Sequence, residues 1–110
     1  MAPRKQKAVF LDSVGSPVEL GERDIPPPKA GEVMVKVNST QLLPHDAYCR
    51  DRGIFIGHKL PFVLGSSIAG TVVEAGPDVN SFNSGDRVFG TSNLQHPTPD
   101  QAGLQEYAIL

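Results

Sequence analysis

Residues 60–90 read LPFVLGSSIAGTVVEAGPDVNSFNSGDRVFG, and the reading of this stretch decides the fold. An apolar entry, Leu60 to Leu64, meets Gly65, and Gly70 follows five residues later. Ile68 to Ala75 alternates small and branched residues as a strand does, and Gly76-Pro77 ends it. Asn83-Ser84-Gly85-Asp86 is a polar turn, after which Arg87-Val88-Phe89-Gly90 resumes the extended chain. Glycine inside a strand marks the close approach of another backbone or a ligand, which singles out Gly65 and Gly70. Asp86 is placed to fix its turn through side-chain bonds to backbone N–H groups.

Upstream, Lys7–Leu11 is predicted as a first strand and Val18–Asp24 as its hairpin partner, turned at Gly15-Ser16-Pro17. Ile25-Pro26-Pro27-Pro28 cannot donate to a ladder and bridges in extended form. Glu32–Ser39 is predicted as a strand with Val33, Val35 and Val37 on one face and Met34, Lys36 and Asn38 on the other. A loop over Thr40–Pro44 leads to a short helix, His45–Arg52, closed by Gly53. Further loops are expected over Ile54–Lys59 and over the irregular stretch Thr91-Ser92-Asn93 with Pro97 and Pro99. Leu104–Leu110 is predicted as the last strand. Many short strands punctuated by glycine and proline favour a mainly β barrel or sandwich.

A chain of 110 residues suits one domain with a modest core. A formal charge of −2, from 10 basic and 12 acidic residues, makes no electrostatic case for nucleic acid or an anionic membrane. The single cysteine, Cys49, excludes an internal disulfide and a thiolate zinc cluster. No run approaches transmembrane length, and Ala8-Val9-Phe10-Leu11 is too short for a signal peptide, so a cytoplasmic protein is expected. Gly65 to Gly70 is not a phosphate loop, because Thr71 and Val72 follow where a lysine is needed.

Pro61, Gly65, Gly70, Val72 and Gly76, followed by Gly85-Asp86-Arg87-Val88, fit the pattern P-x-x-x-G-x-D/E-x-x-G-x-V-x-x-x-G and then G-D-x-V. With Pro28-Lys29-Ala30-Gly31-Glu32-Val33, Asp46 and Glu106-Tyr107-Ala108, the chain resembles the medium-chain dehydrogenase/reductase superfamily over nearly its whole length. The resemblance implies a GroES-like, partly open β-barrel with one or two short helices, the domain that in these enzymes carries the substrate side. A nucleotide-binding half would need G-x-G-x-x-G between a strand and a helix, and these residues contain none. The chain is therefore expected to be the GroES-like domain over residues 1–110, lacking its Rossmann partner.

In zinc-dependent members of that superfamily a cysteine precedes the aspartate by three residues and a histidine follows the first glycine of the central motif. By resemblance those positions are Leu43, before Asp46, and Ser66, after Gly65. Neither leucine nor neutral serine serves zinc, and the spacing of Cys49, His45, His58 and His96 matches no closed site, so no metal is expected. The resemblance then points to the zinc-free quinone oxidoreductases and enoyl reductases. These transfer a hydride from NADPH to a quinone or an activated alkene such as an enone.

On that resemblance Leu43, Pro44 and His45 face the nicotinamide, and His45 and Tyr48 are the candidate catalytic side chains. An imidazole at His45 can donate to a substrate oxygen at neutral pH; a surface histidine flanking a helix is the plainer alternative. The Tyr48 phenol orients a carbonyl or is buried against the barrel. Asp46 is expected to cap the helix through Tyr48 and Cys49. Arg50 and Arg52 reach a cofactor phosphate or are simply solvated. Ile54-Phe55 stand where some enoyl reductases carry a tyrosine, which implies an apolar pocket wall. Cys49 reads as a small, semi-buried helix residue.

The implied partners are a small enone or quinone and a nucleotide-binding domain, in a longer chain or in a partner reductase; a homodimer is compatible with the sequence. The competing reading is a non-catalytic GroES-like binding module, or a truncated paralogue that pairs with a full-length reductase through the edge at Leu104–Leu110.

Overall fold

A computed structural model of the chain describes residues 5–53, 60–92 and 98–110. Strand β1 (Lys5–Leu11) pairs antiparallel with β2 (Glu19–Asp24), from Lys5 opposite Asp24 to Phe10 opposite Glu19. Strand β3 (Val33–Gln41) runs into helix α1 (Pro44–Arg52). The apolar entry becomes the two-residue strand β4 (Phe62–Val63), which pairs with β1 through Leu11 and Phe10. Strands β5 (Ser67–Ala75), β6 (Arg87–Thr91) and β7 (Tyr107–Ile109) follow, with a 3-10 turn over Pro99–Gln101 before β7.

Two antiparallel sheets result, ordered β2-β1-β4 and β6-β5-β3-β7. They are tied together where Ala8 bridges Gln105 and the Val9 N–H donates to the Leu104 carbonyl at 2.9 Å. The buried apolar side chains fall into three groups. Val33, Val35, Ile68, Val72 and Ala108 form one; Leu11, Cys49, Phe62 and Leu64 form a second under α1; Ala8, Val63 and Ala102 form the third. Each fully buried valine or leucine among these removes enough apolar surface from water for roughly 1.5–3 kcal/mol.

The glycines of the organising stretch are explained by neighbouring backbone. A Cβ on Gly70 would lie 2.2 Å from the Lys36 carbonyl oxygen of β3, so any side chain would push these paired strands apart. Gly65 adopts φ +100°, and a Cβ there would sit 3.1 Å from the amide nitrogens of Gly103 and Leu104.

Several expected boundaries move. Thr40 and Gln41 belong to β3 and not to a loop, because they keep pairing with Ile68 and Ser67, and the Thr40 hydroxyl donates to the Ser67 carbonyl at 2.6 Å. The helix begins one residue early, at Pro44, where a missing N–H costs nothing. Met34, on the face opposite Val33 and Val35, is buried as they are; the ladder shifts register between Met34 and Val35 and again between Val37 and Ser39, which breaks strict alternation. The last strand is only Tyr107–Ile109. Its expected first residues serve other partners: the Leu104 N–H donates to Leu64, and the Gln105 amide turns inward onto the carbonyls of Pro99 and Ala102. β7 lies at the edge of its sheet.

The expected loop Ile54–Lys59, with Phe55 and His58, lies outside the described residues, as do Asn93, His96 and Pro97. Among the described residues no helix is long and apolar enough to cross a membrane.

Candidate functional site

Helix α1 starts where β3 ends, and its first turn is held by Asp46. The Asp46 carboxylate accepts the Leu43 N–H at 2.8 Å, while the Asp46 N–H donates to the Leu43 carbonyl at 2.9 Å. This corrects the expected cap. Asp46 sits three residues into the helix and reaches back to the residue before it, so it satisfies an upstream amide and not those of Tyr48 and Cys49. Gly53 ends the helix at φ 71°, with its N–H on the Cys49 carbonyl. His45 is thereby fixed on a short, clamped turn.

Ser66 lies on the equally constrained link between β4 and β5. On one side the Gly103 N–H donates to the Gly65 carbonyl at 2.7 Å; on the other the Ser92 N–H donates to the Ser66 carbonyl at 2.7 Å. Across the gap between these two anchored segments, His45 Nε2 and Ser66 Oγ are 2.5 Å apart. Ser66 is 6% exposed and the His45 side chain 26%. The imidazole is thus the more exposed of the two groups.

The Asp46 carboxylate is 3.8 Å from the same His45 nitrogen. It lies on the Nε2 side and not behind Nδ1, unlike the orienting carboxylate of a nucleophilic triad. An imidazole sharing a proton with a buried hydroxyl can hold and pass a proton.

Tyr48 and Arg52 follow His45 at helical spacing. Tyr48 is 49% exposed, so the alternative in which it is buried against the barrel is not realised. The Arg52 guanidinium stands 5.8 Å from the centre of its ring, a cation–π distance. Arg50 bonds Asp51 at the surface, at 2.8 and 3.2 Å. Leu43 lines a hollow of about 180 Å³ with Leu42, Asp46, Ala47, Leu64 and Leu104, a lining that does not include Tyr48. Pro44 sits beside it as the first helical residue.

Cys49 is buried in the cluster beneath α1. Burial, and then the Asp46 charge, push its thiol above the ordinary range, so it has the character of a packing residue. Among the described residues no three His, Cys, Asp or Glu side chains converge on a point. A hollow of about 470 Å³ among Val33, Phe82, Val88, Phe89 and Leu110 shares no residue with the His45–Ser66 pair.

Ser66 is the partner of His45 that sequence reasoning left aside. The signal was present: the resemblance placed Leu43 and Ser66 on the same metal centre of the zinc enzymes, so a side chain near one must lie close to the other.

A family described as "Alcohol dehydrogenase GroES-like domain" matches residues 29–109. The chain is 34% identical over 105 residues to Dehydrogenase orsE of Emericella nidulans, covering 94% of this chain and 30% of that protein. It is 36% identical over 109 residues to the trans-enoyl reductase tndF of Aspergillus flavipes, covering 96% and 32%. An S-(hydroxymethyl)glutathione dehydrogenase of Photobacterium damsela subsp. piscicida is 41% identical over 89 residues, covering 77% and 23%. Among solved structures, the quinone oxidoreductase from Coxiella burnetii superposes with a TM-score of 0.83 at 29% identity, covering 96% of this chain and 34% of that one. The chain therefore spans about a third of the length of the first two relatives.

Proposed function

The chain belongs to the alcohol dehydrogenase GroES-like domain family, within the medium-chain dehydrogenase/reductase superfamily. From that membership we propose that it is the substrate-side domain of a zinc-independent, NADPH-dependent reductase acting on a quinone or an activated alkene. The observation that supports this reading is the His45–Ser66 hydrogen bond at 2.5 Å, since by the resemblance Ser66 stands where zinc enzymes carry a metal-ligating histidine. The likeness to a trans-enoyl reductase and to a quinone oxidoreductase supports the acceptor class.

NADPH, when bound, supplies a hydride. The described residues offer no glycine-rich turn between a strand and a helix, since β3 passes to α1 through Leu42 and Leu43. They fit only the reactive end of the cofactor, which Leu43, Pro44 and His45 would face; the phosphates belong to a nucleotide-binding domain, in the same polypeptide or in a partner. His45 supplies the proton that accompanies the hydride. Tyr48, exposed beside it with Arg52 across its ring, orients the acceptor carbonyl. A donor held on a clamped turn needs no reorganisation as charge develops on the acceptor.

The test is NADPH oxidation by the reductase that contains this domain, with menadione and with crotonyl-N-acetylcysteamine as acceptors. Turnover with either is expected, with kcat lowered about a hundredfold or more in His45→Ala. No oxidation with either acceptor, or a His45→Ala variant as fast as the wild type, would count against the assignment.

A further inference from the structure

We propose that Ser66 is the terminal proton donor of a two-residue relay, its hydroxyl facing the acceptor while His45 returns the proton from solvent. The inference rests on the reading above and adds to it the residue that delivers the proton and the direction in which the proton travels.

Three observations support that order. The exposure gradient runs from His45, about a quarter exposed, to Ser66, almost wholly buried, so the imidazole is the better placed of the two to reload from water. The two groups are within a short hydrogen bond, 2.5 Å, as a proton transfer between them requires. The Ser66 backbone is anchored on both sides, by Gly103 on the Gly65 carbonyl and by Ser92 on its own, which holds the hydroxyl at a fixed point.

The step balances. The hydride brings two electrons and one hydrogen to the β-carbon of the alkene, or to the quinone. Negative charge collects on the carbonyl oxygen or α-carbon and takes the Ser66 Oγ proton. The Ser66 oxygen recovers a proton from His45 Nε2, and His45 recovers one from water. NADPH is oxidised and the acceptor is reduced by two electrons, with one proton consumed.

The experiment compares the wild type with Ser66→Ala and Ser66→Thr in the reductase containing this domain, using NADPH and menadione. Ser66→Ala is expected to lose about a hundredfold in kcat with KM changed only a few-fold, and Ser66→Thr, which keeps a hydroxyl, to recover most of it. A proton inventory in mixed light and heavy water is expected to bow in the wild type, with two protons in flight, and to straighten in Ser66→Ala. Nitrogen NMR of the cofactor-free chain is expected to show one dominant His45 tautomer whose Nε2 shift moves in Ser66→Ala; an unchanged Nε2 shift would count against the relay. Wild-type turnover with Ser66→Ala unimpaired would overturn the relay and leave the reductase assignment standing. Absence of wild-type NADPH oxidation would remove both. Should Ser66→Ala fail to fold, the wild-type inventory decides alone: a straight line overturns the relay and a bowed one supports it.

Discussion

The Asp46 carboxylate accepts a hydrogen bond from the Leu43 N–H at 2.8 Å, which ties the first turn of α1 to the segment leaving β3. The side chain is buried, and the amide it satisfies is one of the four that every helix start leaves without an internal partner. Because His45 lies between these two residues, the cap also determines where the imidazole points.

Removing the cap should therefore cost both stability and site geometry. Asp46→Ala is expected to lower unfolding free energy by about 1–2 kcal/mol, measured by urea denaturation. Asp46→Asn keeps a carbonyl oxygen for the same amide and should lose less. Equal losses in the two variants would show that the buried charge, and not the hydrogen bond, holds the turn.

Gly70 tests a different force. A Cβ there would meet the Lys36 carbonyl at 2.2 Å, with Val35 Cγ1 at 2.7 Å, and backbone on the partner strand cannot swing aside as a side-chain tip can. Gly70→Ala should cost about 3 kcal/mol or more, at the severe end of overpacking. Gly85→Ala is the control: Gly85 has φ +100° with nothing within 4 Å, so only the left-handed backbone penalty of about 1–2 kcal/mol applies. Thermal unfolding of both variants would rank them.

Cys49 gives a pH prediction. Burial, with the Asp46 charge adding to it, raises its thiol pKa in the folded state. The folded chain then keeps that proton to a higher pH than the unfolded chain does. The corresponding stability is complete below the ordinary thiol value, about 8.5, and is lost as pH rises through the raised folded value. Urea midpoints should fall across this alkaline window in the wild type and fall less in Cys49→Ala. A disulfide reagent at neutral pH should label the thiol only after unfolding.

The order of strands was legible because its signals are local. Gly53 closes α1, Gly76-Pro77 closes β5, and Asp86 accepts the Asn83 N–H at 2.9 Å within its own turn, as its spacing predicted. What escaped depends on contacts far apart in the chain. Thr40 and Gln41 read as loop residues, and only the β5 ladder makes them strand. Gln105 looks like part of a strand until its amide is seen closing the 3-10 turn. Asp46 was recognised as a capping residue, but its direction was reversed. Leu43 has no side-chain oxygen to complete the reciprocal pattern, so half of the usual signature is missing from the sequence. His45 could be nominated from its position. Its partner Ser66, 21 residues away, emerges only when α1 and the β4–β5 link are folded together.

The central claim is that an acceptor held by this domain takes up a hydride and a side-chain proton with no metal. It is tested most directly by measuring zinc content and NADPH–menadione turnover on one chelator-treated preparation of the reductase containing it. Full turnover at a zinc content far below one per chain is predicted. Turnover that vanishes on chelation and returns with one equivalent of zinc would contradict it.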